Sequence, residues 1–135
     1  MWPNGLQNLR FINRSNSINH MNNLHRRINQ LIVIDNKIDL KRGGPYFLIR
    51  GIPTKIDGKE KDAFEYKISE KNKKRVTLEL IESIYNSYNQ NGRIKERFEL
   101  NESFQAELKS RPCNYSVAKF IVEQLLLEDS RNQNS

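Results

Sequence analysis

The chain has 135 residues, 36 % of them hydrophobic and 29 % charged, with a formal net charge of +7. Such a length holds one domain with a modest core and is short for two. No apolar run approaches the roughly 20 residues that span a bilayer, so no membrane segment is expected. One cysteine, Cys113, excludes an internal disulfide.

The first twenty residues are rich in Asn and Ser and show no sustained period, so 1–20 reads as a flexible arm, with one α+β domain over 21–129 and a disordered tail over 130–135. The opening also lacks the basic, apolar, small-residue order of a secretory leader, which gives a cytoplasmic expectation. From Met21, the apolar positions Met21, Leu24, Ile28, Leu31 and Ile32 form a helical stripe that predicts an N-terminal helix to about residue 33. Lys41-Arg42-Gly43-Gly44-Pro45 breaks the pattern.

A two-stranded antiparallel β-hairpin follows. YFLIRGI (46–52) and AFEYKIS (63–69) both alternate, and Asp57-Gly58 between them suits a type I′ turn, which needs positive φ at both central residues. Counting outward from that turn sets Arg50 opposite Glu65 and Lys55 opposite Glu60, two opposite-charge pairs. The same register sets Phe47 opposite Ile68, Ile49 opposite Tyr66 and Gly51 opposite Phe64 on the inner face. Pro53 argues for an edge or a bulge in the ribbon.

The remainder reads as three helices. Thr77 is the expected N-cap of the first, over 77–89, with Leu78, Ile81, Ile84, Tyr85 and Tyr88 inward and Gly92 as its stop. Asn101 caps a short helix through Lys109, with Phe104 and Leu108 inward. After Ser110-Arg111-Pro112, Asn114 or Ser116 caps the last helix, 115–127. Its stripe is Ala118, Ile121, Val122 and Leu125, widened by Val117, Phe120 and Leu126. The expected core is Leu24, Ile28, Leu31, Phe47, Ile49, Phe64, Tyr66, Ile68, Ile81, Tyr85, Phe104, Leu108, Phe120, Ile121 and Leu125. A three-helix, helix-turn-helix-like C-terminal half behind a ribbon suggests a winged-helix-like arrangement.

The charge is unevenly placed. Residues 41–75 hold eleven Lys/Arg against five Asp/Glu, a net +6, whereas 76–135 are net −2. The basic middle points to a polyanionic partner, nucleic acid, with DNA ahead of RNA. Its expected contacts are Lys41 and Arg42, Lys59 and Lys61 near the hairpin tip, and the run Lys71, Lys73, Lys74 and Arg75, read as a linker. Arg111, Asn114, Ser116 and Lys119 join them if the last helix reads a groove, although the apolar girth of that helix favours burial and the net negative charge of 76–135 opposes approach to phosphates. Tyr46 or Tyr66 can supply base stacking where exposed.

Other chemistries find little support. A structural zinc site normally needs four Cys or His ligands, and only Cys113, His20 and His25 are present. The two histidines read as solvent-facing. Cys113 precedes a helix start, where the helix dipole lowers a thiol pKa, but no base stands near it in sequence. Asp57 or Asp62 with Glu65 and Lys67 forms a sparse nuclease-like acid and Glu-x-Lys pattern, already explained by the turn and by pairing with Arg50. No catalytic set and no cofactor motif can be placed. The second functional reading is an accessory or protein-interaction module, homodimeric through the last helix; a metal-dependent nuclease is the third.

Overall fold

The computed structural model describes residues 23–33, 37–40, 44–69 and 71–133. The arm read at 1–20 and the pair Lys41 and Arg42 lie outside these. The chain is α+β: helix α1 (23–33), strands β1 (Lys37–Leu40), β2 (Gly44–Gly51), β3 (Thr54–Ile56), β4 (Lys59–Lys61), β5 (Ala63–Ser69) and β6 (Asn72–Thr77), then α2 (Leu78–Asn91), α3 (Glu102–Ser110) and α4 (Cys113–Gln133). A short 3-10 turn, Arg97–Glu99, precedes α3.

The expected hairpin is the middle of a larger sheet. Four strands run antiparallel in the order β1-β2-β5-β6, and β3 pairs with β4 as a separate two-stranded tip. At the tip Asp57 and Gly58 take φ of 52° and 77°, the two positive values a type I′ turn requires. The register from the turn is as expected through Lys55–Glu60, Arg50–Glu65 and Gly51–Phe64.

Beyond Arg50 it slips by one residue. A β-bulge at Ile49 places Leu48 opposite Tyr66 and Phe47 opposite Lys67. Side chains alternate with period two, so this single extra residue reverses the faces of the rest of β2. Tyr46 and Leu48 point into the core and Phe47 is 37 % exposed, which corrects the inward assignment of Phe47; Ile49 is half-buried. Tyr46 then lies against Tyr66, with ring centroids 6.1 Å apart.

β6 is the second correction. Residues 72–77 read as a basic linker and a cap, but Asn72–Thr77 pairs along β5 as an edge strand. α2 begins at once. Thr77 Oγ1 accepts from the Leu80 N–H at 3.3 Å, and Gly92, at φ 76°, closes the helix in the left-handed conformation. Asn101 stands at the N-cap of α3 without a side-chain cap bond. α4 starts at Cys113, two residues before the expected 115, and runs to Gln133, so 130–133 are helix rather than tail.

The helices cover one face of the sheet. Phe64, Tyr66 and Val76 from the strands meet Leu78, Leu80, Ile81 and Ile84 of α2, Leu108 of α3, and Val117, Ala118, Ile121, Val122 and Leu125 of α4, all essentially inaccessible. Each such Leu, Ile or Phe contributes about 1.5–3 kcal/mol by leaving water. α1 docks Leu24 and Ile28 into the same core. Its Arg27 is held by Glu128 at 3.0 Å, Asp129 at 2.8 Å and the Leu125 carbonyl at 3.1 Å. His25, read as solvent-facing, is half-buried, with its ring centroid 4.9 Å from that of Phe64. Among the described residues, no helix is long and apolar enough to cross a membrane.

Candidate nucleic-acid interface

β6 joins the basic run to the helical half. As an edge strand it presents outward-facing backbone groups that need partners. Side chains of the α3–α4 corner provide them. The Arg75 carbonyl accepts from Arg111 Nη1 at 2.9 Å and from Asn114 Nδ2 at 2.9 Å. The Thr77 N–H donates to Glu107 Oε2 at 3.1 Å, and its hydroxyl donates to Glu107 Oε1 at 2.7 Å. Asn114 Nδ2 also donates to Glu107 Oε2 at 2.6 Å, while its Oδ1 accepts from the Tyr66 hydroxyl at 2.5 Å. Burial pushes the Tyr66 hydroxyl above the ordinary phenol range.

Asn114 is therefore a fully buried clasp between sheet and helices and does not face outward as the groove-reading role requires. The apolar stripe of α4, Val117, Ala118, Ile121, Val122 and Leu125, is absorbed by the core. Ser116 is exposed and Lys119 half-buried on the remaining side of α4. Cys113 is half-buried, with its Sγ 3.7 Å from the Tyr46 hydroxyl.

Arg111 is half-buried, and besides the Arg75 carbonyl it reaches Thr54 Oγ1 at 3.4 Å. Arg75 in turn donates to the Pro53 carbonyl at 2.7 Å, which fastens the β3–β4 tip to β6. These contacts bring together residues far apart in sequence. Lys73, Lys74, Arg75 and Arg111, with Thr54 and Ser110, line an open recess of about 290 Å³. Lys71 and Lys73 are exposed, whereas Lys74 and Arg75 are half-buried.

The tip lysines separate. Lys59 is exposed on β4, but Lys61 is ion-paired with Glu79 of α2 at 2.8 Å. Glu65, the acid of the nuclease-like pattern, is 7 % exposed and held between Arg50 at 3.4 Å and Arg75 at 3.9 Å. Among the described residues no group of three or more His, Cys, Asp or Glu is placed to share a metal ion.

Two features were missed at the level of sequence. The Tyr66–Asn114–Glu107–Thr77 network leaves no periodic trace, because each member is a lone polar residue inside an apolar pattern. The outward turn of Phe47 depends on the bulge, which no turn residue announces. No family model matches the chain, and no curated protein or solved structure matches it either.

Proposed function

We propose that the protein is a small, non-enzymatic nucleic-acid-binding protein of the cytoplasm that contacts phosphates through β6 and the adjoining α3–α4 corner. The observation that carries this reading is the recess rimmed by Lys73, Lys74, Arg75 and Arg111. Two of its cations are guanidiniums already fixed by backbone carbonyls, and each has five N–H donors, so donors remain for an anion at little ordering cost. The lysines add mobile charge at the rim.

Four cations on phosphates correspond to a salt slope of about −3.6, so affinity should fall on the order of 100-fold between about 50 and 200 mM salt. Fluorescence anisotropy with labelled duplex and single-stranded DNA and RNA measures this. Lys73→Glu with Lys74→Glu should lower the affinity and flatten the slope by about two. Binding that ignores salt, or that survives this double charge reversal, refutes the reading. Arg75 and Arg111 are unsuitable first targets, because both also hold the fold together.

A further inference from the structure

The sheet face turned away from the helices carries its own pattern. Register places Lys37 of β1, Phe47 of β2, Lys67 of β5 and Lys73 of β6 side by side in one cross-strand row. At the usual spacing of neighbouring strands the row spans about 14 Å. The row beside it is Arg50, Glu65 and Arg75. These two rows carry the basic side chains of Lys37, Lys67, Lys73, Arg50 and Arg75, with the Glu65 carboxylate between the two arginines.

Phe47 is the anomaly. It sits on an inner strand of the sheet, 37 % exposed, with a lysine on either side. The bulge at Ile49 sends it outward while Tyr46 and Leu48 fill the core, so packing against the helices does not account for its ring. A flanking pair of lysines opposes an apolar protein partner and favours a polyanion. An aromatic ring among cations on an open sheet can take a base on its face while the cations take the phosphates. A duplex keeps its base faces stacked inside; a single strand offers them.

The geometry points to the outer face of this sheet as a platform for single-stranded nucleic acid, with an unpaired base stacked on Phe47 and the backbone tracked by Lys37, Lys67 and Lys73 towards the β6 recess. This rests on the phosphate-contact reading above and adds the class of nucleic acid to it.

The test uses the full chain and four labelled probes of equal length: single-stranded DNA, single-stranded RNA, a DNA duplex, and an abasic strand that keeps sugar and phosphate only. One or both base-bearing single strands should bind at least about tenfold more tightly than the duplex and the abasic strand. Phe47→Ala should remove about tenfold of that affinity without changing the salt slope or abasic binding. Phe47→Leu, which keeps bulk but has no π face, should lose as much, and Phe47→Tyr should retain it; circular dichroism checks that each variant is folded. Equal binding of duplex, abasic and base-bearing strands, or affinity unaltered by Phe47→Ala and Phe47→Leu, overturns the platform and leaves the phosphate contacts standing. Absence of binding to every probe at low salt overturns both.

Discussion

Asn114→Ala tests whether the sheet and the helices are joined by the buried polar clasp. In the folded protein Asn114 is inaccessible and makes bonds of 2.5 Å to the Tyr66 hydroxyl, 2.6 Å to Glu107 and 2.9 Å to the Arg75 carbonyl. Truncation leaves the carbonyl with Arg111 and the carboxylate with Thr77. The Tyr66 hydroxyl loses its acceptor, which costs about 1–3 kcal/mol in a buried site, and the lost bond to a carboxylate costs about 1.5–3 kcal/mol more. The expected destabilisation is about 3–5 kcal/mol, a large part of the roughly 5–15 kcal/mol that holds a domain folded. Urea denaturation followed by circular dichroism measures it, with an unchanged m-value as the check on two-state behaviour. The decisive quantity is the coupling. Tyr66→Phe strands Asn114 Oδ1, so the double variant should cost at least about 1 kcal/mol less than the two single changes added together. Additive effects, or a loss below about 1 kcal/mol for Asn114→Ala, refute the clasp.

Two further outcomes follow from the same structure. Gly92→Ala should destabilise by about 1–2 kcal/mol, because Gly92 holds φ 76° with nothing within 4 Å of a built Cβ, which leaves only the backbone cost; a raised Tm would contradict this. The Tyr66, Tyr85 and Tyr115 hydroxyls are raised above the ordinary phenol value chiefly by burial, and Tyr46 chiefly by its bond to Cys113. Folding therefore favours the neutral hydroxyls, a contribution fully present below the unfolded value of about 10 and lost as pH rises through the folded values. The Tm should be level between about pH 7 and 9 and fall above about 10, less steeply in Tyr66→Phe; a Tm that stays level above about pH 10 would contradict the assignment.

The parts of the fold legible in sequence are those with a local cause. Asp57-Gly58 specifies its turn by backbone sterics, Thr77 and Gly92 mark the ends of α2, and the helical stripes name Leu24, Ile28, Ile81, Leu108, Ile121 and Leu125 as core, all of them buried. Edge strands were not legible. Lys37–Leu40 shows no period that assigns it an element and the basic run of Asn72–Thr77 reads as linker, yet charge is what an edge strand tolerates. The bulge at Ile49 was invisible because both phases of β2 offer an alternating apolar face: Phe47 with Ile49, or Tyr46 with Leu48. Tertiary contact chose the second, seating the Tyr46 ring against Tyr66 and its hydroxyl beside Cys113. The basic run was legible as charge, but its junction with Arg111 needed the α3–α4 corner to fold back on β6. Asn114 was misplaced for the opposite reason: a residue suited to groove contact is equally suited to a buried network.

The manner in which β6 is closed has a consequence for solubility. Its outer rim is sealed by side chains, Glu107 of α3, Arg111 of the turn that follows and Asn114 of α4, and among the described residues not by another strand. A fluctuation that lifts the α3–α4 corner would strip that seal while the sheet itself stays intact, uncovering donors and acceptors already aligned for pairing with a second chain. Self-association of this protein would then be governed by the opening of one helical corner, well short of global unfolding.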